Sequence, residues 1–309
     1  MDRASVRIRE RPPGIGLPYD RAMHRSRRSV AHRLLRRIAP LGVATLVTGG
    51  LLAAVAPPSD SNVPETSPGP ATAQDRPGPP PARDDRPRVL VFSKTAGFRH
   101  GSIPVGIATM RELGREHGFL VQATEDSAWF EPEKLARFDA VVFLNTTGDV
   151  LDDEQQRTFE AFIRAGKGYV GVHSAADTEY DWPWYGKLCG AWFKTHPRIQ
   201  PADLNVENRT FPATSFLPEV WKRTDEWYVY RESPRPNVQV LLSLDESSYE
   251  GGGMNGDHPI AWYQEFDGGR SFYTGGGHTD ESYKEPLFRK HLAEAVMWAA
   301  GERNMEKGQ

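Results

Sequence analysis

Cysteine is nearly missing from this 309-residue chain. Cys189 stands alone, which excludes an internal disulfide and any zinc site built on cysteine. Nor is there a strong field of either sign. The formal net charge is −3 with 26% charged residues, so nothing in the charge balance draws the chain to nucleic acid. The positive charge that exists is concentrated at the start, in Arg3, Arg7, Arg9, Arg11, Arg21, Arg25, Arg27, Arg28, Arg33, Arg36 and Arg37, leaving the remainder distinctly acidic. Large apolar residues are almost lacking from Pro57 to Pro87, where Pro, Ser and Asp dominate. Such a stretch cannot bury enough surface to offset the entropy of ordering, so 57–87 is expected to be a disordered, partly extended linker. No internal repeat is visible.

Ile38 to Ala56 is uncharged and moderately apolar, and it directly follows the arginine cluster. A basic stretch before an apolar core is the pattern of a secretory signal. The run is only marginally long enough to span a bilayer, and Gly42, Gly49 and Gly50 weaken it further. Ser26-Arg27-Arg28-Ser29-Val30 resembles a twin-arginine export signal, and Ala54-Val55-Ala56 and Ala71-Thr72-Ala73 offer small-residue cleavage sites. Residues 1–56 are therefore expected to direct export. Cleavage would release the protein; retention would leave residues 38–56 as an anchor, the expected point of membrane contact. A true start at Met23 is the competing reading.

From Arg88 to Gly301 the pattern is that of one α/β domain, followed by a polar tail over 302–309. Arg88–Ser93, Leu120–Thr124, Asp139–Leu144 and Lys167–His173 are short apolar runs rich in β-branched residues, as expected of strands, the first buried on both faces. Between them, Ile103–His117 and Asp152–Ala165 carry apolar residues at helical spacing, each followed by a glycine. Strands alternating with helices predict right-handed crossovers and a mostly parallel sheet flanked by helices. After Pro183 the spacing changes. Short strands are predicted over 203–206, 226–230, 238–244, 260–266 and 271–274, extending the sheet and roofing its loops, with a closing helix over Pro286–Ala300.

In open α/β sheets ligands bind at the carboxyl ends of the parallel strands. Polar residues gather at those ends: Thr95 to His100, Asn145 to Asp149, and His173 to Asp177. Of nine histidines, His24 and His32 lie in the export segment, while His117 and His291 fall on helices and read as solvated. The other five, His100, His173, His196, His258 and His278, each sit beside Gly, Pro or small residues in a loop or at a strand end. Several of them are expected to converge on one pocket, where imidazole serves as general acid/base or metal ligand.

Gly171-Val172-His173-Ser174-Ala175 compares with a nucleophile elbow, with His173 where a serine or cysteine usually stands and Ser174 one place late. Asp225-Glu226-Trp227-Tyr228 reads as two carboxylates heading an aromatic strand, either facing solvent or delivering Glu226 into the histidine pocket. Gly275-Gly276-Gly277 permits close backbone approach to a ligand, but without the Lys-Ser/Thr ending it is no phosphate loop. Trp182, Trp184, Tyr185, Trp192 and Phe193 either form a wall for stacking sugars or cap the core. Cys189 reads as packing.

These stretches together carry a resemblance. Ser93-Lys94-Thr95-Ala96-Gly97-Phe98-Arg99-His100, Gly171-Val172-His173-Ser174-Ala175, Asp225-Glu226-Trp227-Tyr228, His258-Pro259-Ile260-Ala261-Trp262 and Gly269 to His278 occur in the order found in the trehalose-utilisation (ThuA-like) family, which the chain resembles from Arg88 to Gly301. The resemblance implies a flavodoxin-like, class I glutamine amidotransferase-like fold and a link to sugar or 3-keto-sugar metabolism. It does not imply glutaminase activity, because His173 occupies the place of the glutaminase cysteine.

The expected function is that of an exported enzyme acting on a carbohydrate or keto-sugar, its reaction class (hydrolase, lyase or isomerase) left open. The expected catalytic residues are His173, His100, Glu226 and His278. Ser174, Asp177, Arg99, His258 and Trp192 are expected to bind substrate. A divalent metal, if used, would fall to His100, His173, His196 and Glu226. A non-catalytic carbohydrate-binding module and a serine hydrolase using Ser174 are the alternatives.

Overall fold

The computed structural model describes residues 84–301. The expected leader (1–56), nearly all of the linker (57–87) and the tail (302–309) lie outside the described residues. In chain order the elements are β1 (Arg88–Phe92), α1 (Ile103–His117), β2 (Leu120–Thr124), α2 (Pro132–Leu135), β3 (Ala140–Leu144), α3 (Asp153–Arg164), β4 (Gly168–Val172), α4 (Pro183–Cys189), β5 (Phe193–Thr195), β6 (Gln200–Val206), β7 (Val220–Asp225), β8 (Val229–Tyr230), β9 (Gln239–Leu244), β10 (His258–Phe266), β11 (Gly269–Thr274) and α5 (Pro286–Ala300). No helix among the described residues is long and apolar enough to cross a membrane.

Nine strands form one mixed sheet in the order β2-β1-β3-β4-β11-β10-β9-β6-β7. The first five are parallel to one another, and the other four continue the sheet antiparallel. β3 and β4 are buried along their whole length and β1 beyond Arg88, which is why they read as unbroken apolar runs. Neighbouring side chains of β3 serve opposite faces. Phe143 packs on Phe159 of α3 and Tyr185 of α4, while Leu144 meets Gly106 of α1 on the other side. Local signals set the helix ends. Asp152 accepts from the amides of Glu154 and Gln155 while its own amide donates to the Gln155 side chain, a capping box that starts α3. Gly118 ends α1 in the left-handed conformation.

The later half departs from expectation in three places. Of the strand expected over 226–230 only Val229–Tyr230 forms, as β8, which pairs only with β5 in a small second sheet, while the longer β7 ends just before it at Asp225. The period-two pattern of β7 was masked because its inward residues Trp221, Arg223 and Asp225 include a buried ion pair, 3.2 Å apart, that hydropathy scores as exposed. The aromatic stretch near Trp182 folds into α4, started by Pro183 and closed by Gly190 with φ of 98°. His291, expected to be solvated, is fully buried on α5, where Nδ1 hydrogen-bonds the Ala213 carbonyl at 2.8 Å and burial pushes its imidazole down to about 4.

The antiparallel half also bends. β7 lies four strands from β11, a separation of roughly 19 Å in a flat sheet at about 4.8 Å per strand. Yet the amide of Gly277, just past β11, donates to Asp225 at the end of β7 at 2.8 Å. Register shifts in β10 between Pro259 and Trp262 supply the kind of local twist that lets a sheet curl this far. The curl carries Glu226 to the carboxyl ends of the parallel strands.

Candidate active site

Four strand ends deliver the site. His100 follows β1, His173 follows β4, Glu226 follows β7 and His278 follows β11. One donor atom from each of these four residues lies within 4.8 Å of the others. The three imidazole rings stand edge to face at 4.9 to 5.1 Å.

His173 is the best defined. It opens the turn after β4 with φ of 50°, a left-handed conformation uncommon outside glycine and held at a cost on the order of 1–3 kcal/mol. The short helical turn His173–Asp177 that follows is buried from His173 to Ala176. Its Nδ1 lies 2.9 Å from the Gly275 carbonyl, which can only accept, so Nδ1 carries a proton and, in the neutral ring, Nε2 presents a lone pair. That lone pair is 3.1 Å from His278 Nδ1 and 3.4 Å from Glu226 Oε2, and the latter two are 3.1 Å apart. Three electron-pair donors thus form a nearly equilateral triangle.

Such a triangle needs a positive centre. A proton on His278 Nδ1 is one solution. Burial opposes charge on His278, but the Glu226 carboxylate, with Asp225 nearby, raises its pKa above the ordinary imidazole value. Burial likewise works to raise the Glu226 carboxyl, yet hydrogen bonds and charge from His173 and His278 outweigh it and hold the group below the usual carboxylate range. A divalent ion is the other solution. Tetrahedral zinc with bonds of about 2.0–2.2 Å to nitrogen and oxygen sets its ligand atoms roughly 3.3–3.6 Å apart, which the 3.4 Å edge meets and the two 3.1 Å edges approach within a few tenths of an ångström. His100 flanks this group, with Nδ1 3.3 Å from Ser174 Oγ. Burial, with His173 and His278 adding like charge, pushes His100 down to about 3, so it stays neutral.

A rigid frame aims the triangle. Asp225, with no exposed surface, accepts from the amides of Glu226, Gly277 and His278 and from Ser282 Oγ, at 2.8 to 3.1 Å. Arg223 backs it and also pairs with Glu285 at 3.0 Å. The glycine run 275–277 fits this frame. A Cβ on Gly276 would come within 2.3 Å of the Arg223 guanidinium, and Gly277 has φ of 109°. Asn145, with φ of 52° at the end of β3, donates to the Gly277 carbonyl at 3.1 Å. Behind His173, the Tyr228 ring lies 4.3 Å away and packs in turn on Phe193.

The remaining candidates fall around this centre or away from it. His196 is not one of the four grouped residues, and His278 takes the place expected for it. Its Nδ1 hydrogen is shared between Glu226 Oε1 at 3.1 Å and the Pro197 carbonyl at 2.9 Å, so that nitrogen orients the carboxylate instead of offering a lone pair. Ser174 hydrogen-bonds His100 Nδ1 and not His173. Asp177 is half-buried and accepts from the Tyr180 hydroxyl, and burial raises its carboxyl. His258 does not join. It is fully buried, with Nε2 on the Tyr228 carbonyl at 2.8 Å and Nδ1 between Glu246 and Tyr249 at 2.9 Å, so it supports Tyr228 from behind. Arg99 turns outward into a two-pronged ion pair with Glu125 at 2.7 and 2.8 Å. Trp192 lines a separate cleft of about 690 Å³ with Lys187, Arg231 and Asn237, which none of the four grouped residues borders. Trp182 and Tyr185 stack within the core. Cys189 is buried beside Tyr169, and burial pushes its thiol up to about 12.

A mixed α/β sheet with polar strand ends and an elbow after its fourth strand defines the class I glutamine amidotransferase-like fold, here with histidine in place of the cysteine nucleophile. Within that class the chain belongs to the ThuA family, described as trehalose utilisation, whose profile matches residues 88–299. Among solved structures it is similar to a ThuA-like protein from Bacteroides uniformis, at 27% identity and a TM-score of 0.60, covering 72% of this chain and 95% of that one. It is also similar to a ThuA-like protein from Parabacteroides merdae, at 20% identity and a TM-score of 0.61, covering 70% and 90%. No curated protein matches the chain.

Proposed function

We propose that this chain is an exported enzyme acting on a carbohydrate or keto-sugar, with His173, His278 and Glu226 holding a divalent metal ion and His100 beside them for proton transfer. The observation that carries the reading is the triangle of lone pairs with edges of 3.1 to 3.4 Å. Gly275 fixes the second ring nitrogen of His173, Asp225 holds the backbone amide of His278, and His196 orients the Glu226 carboxylate. Chain partners that fix the unused nitrogen of a ligand histidine are a hallmark of working metal sites. A bound ion would polarise a sugar carbonyl or hydroxyl and lower the pKa of a bound water. The protein's own part is to commit Nδ1 of His173 to the Gly275 carbonyl so that Nε2 faces the group, to hold His100 neutral, and to back His173 with the Tyr228 ring, itself packed on Phe193. The carbohydrate assignment rests on membership of the trehalose-utilisation family, and export rests on the basic and apolar pattern of residues 1–56.

The test is elemental analysis of the purified chain together with turnover of a panel of glycosides and keto-sugars before and after chelation. The expected result is about one equivalent of metal per chain, lost in His173→Ala, and turnover that chelation abolishes and metal restores. Stoichiometric sugar binding with no turnover and no metal would replace this reading with a binding module.

A further inference from the structure

Phe98 is 67% exposed, and the other two large hydrophobic residues exposed among the described ones, Ile199 and Val220, are aliphatic. An exposed ring usually belongs to a loose loop tip, but this one does not. Thr147, itself fully buried, holds the loop on both sides of its hydroxyl. The amides of Ala96 and Gly97 donate to the Thr147 carbonyl at 2.7 and 3.3 Å, and Thr147 Oγ1 donates to the Phe98 carbonyl at 2.8 Å. The next residue, Arg99, is pinned away by Glu125. Phe98 and His100 therefore face the same side, their rings edge to face at 4.9 Å. The backbone is built to fix an aromatic ring in solvent directly beside His100.

From this placement we infer that Phe98 is the stacking platform for the substrate's sugar ring, deepening the carbohydrate reading above, on which it rests. A pyranose presents hydroxyls at its edge and C–H groups on its face. The face suits an exposed aromatic ring, and the edge is then turned toward the polar group formed by His100, His173, Glu226 and His278. On the Glu226 side, the half-exposed His196 stacks with Phe193 at 5.8 Å, so the group is bordered by aromatic surface there as well. The Phe98 ring pairs with His100 and with neither of the other two imidazoles of the group. Its role is in specificity, not in proton transfer.

The experiment compares full-length wild type, Phe98→Ala and Phe98→Tyr. The probes are trehalose, methyl α-glucoside and a 3-keto-glucoside, read by titration calorimetry and, for any probe turned over, by KM and kcat separately. Aromatic contacts of this kind correspond to about tenfold in affinity. Phe98→Ala is expected to weaken binding or raise KM by about that factor with kcat nearly intact. Phe98→Tyr should restore it, and metal content and thermal midpoint should not change in either variant. Equal affinity in wild type and Phe98→Ala overturns the inference. So does a wild type that binds none of the three probes, or a self-association that Phe98→Ala abolishes, which would make the ring an interface between copies. Phe98-dependent sugar binding in a metal-free wild type upholds the platform and removes the metal-centred reading, so the two fail separately.

Discussion

Replacing Asp225 should damage stability and metal binding together, because one carboxylate supports both. The group has no exposed surface and accepts four hydrogen bonds, from Glu226, Gly277, His278 and Ser282, besides its ion pair with Arg223. Alanine would leave three buried amides unpaired. Arg223 would keep Glu285 but lose the partner nearest the site. Summing every hydrogen bond would overshoot, since relaxation lets some donors find new partners. Removing one partner of a buried pair costs about 3–5 kcal/mol, which is the better guide. That is a large part of the roughly 5–15 kcal/mol that holds a typical domain together. Asparagine keeps the shape and one acceptor oxygen, so Asp225→Asn should cost less, about 2 kcal/mol. Urea denaturation measures the stability, and competition with a chromophoric chelator measures metal affinity. Oδ2 takes three donors, from Gly277, Ser282 and Arg223, so the asparagine oxygen is drawn to that side and its NH2 faces the amides of Glu226 and His278 that Oδ1 held; Asp225→Asn should therefore weaken metal binding at least tenfold at a temperature where it is fully folded. A loss under about 1 kcal/mol for alanine, or unchanged metal affinity for asparagine, would show that the frame does not carry the site.

Three further outcomes follow from the same contacts. His173→Ala should abolish turnover, since it removes the lone pair that closes the triangle, whereas Ser174→Ala should only reduce it by weakening the hold on His100; the reverse order would make Ser174 the nucleophile. Cys189→Ser should leave turnover nearly intact, because the thiol is buried and held protonated by burial, so an inactive but folded variant would refute its passive role. His291 supplies a pH dependence: its folded pKa of about 4 lies below the ordinary 6.5, so the unfolded chain binds a proton that the folded chain refuses. Its stabilising contribution is whole above about pH 6.5 and falls as pH drops toward 4, by about 3 kcal/mol at most. His291→Leu should therefore lose less stability than wild type between pH 7 and 4 in denaturation titrations; parallel curves would count against this account.

The parallel half of the fold was legible because its physics is local. Strands buried on both faces read as apolar runs, and helices between them announce their ends through Asp152 and Gly118. The curl of the antiparallel half was not legible, because it depends on register shifts in β10 that leave no mark in composition. The same reason explains Asp225 and Glu226, read as opening a strand when Asp225 closes one and Glu226 follows it. The inward positions of β7 carry Arg223 and Asp225, whose burial is possible only because they pair, and pairing is invisible one residue at a time. His100, His173 and His278 were recognisable from their strand-end settings. His258 and His291 were not separable from solvated or ligating histidines, since what distinguishes them is a carbonyl brought from elsewhere in the chain.

The position of His173 joins fold to chemistry. A residue placed at the elbow after β4 in a left-handed conformation stores strain, and two backbone contacts maintain it: Tyr273 donates to its carbonyl at 2.7 Å while the Gly275 carbonyl takes its Nδ1 proton. Both partners lie on or just after β11, which is hydrogen-bonded to β4 along its length. The sheet therefore determines the tautomer. With Nδ1 committed to a carbonyl, the ring can offer only an Nε2 lone pair while it stays neutral, and a lone pair aimed at a carboxylate 3.4 Å away is repelled unless something positive lies between them. A cysteine at the same elbow would need a base to become a nucleophile. A histidine held this way needs a cation or a proton to become stable, and the group around it is arranged to accept one.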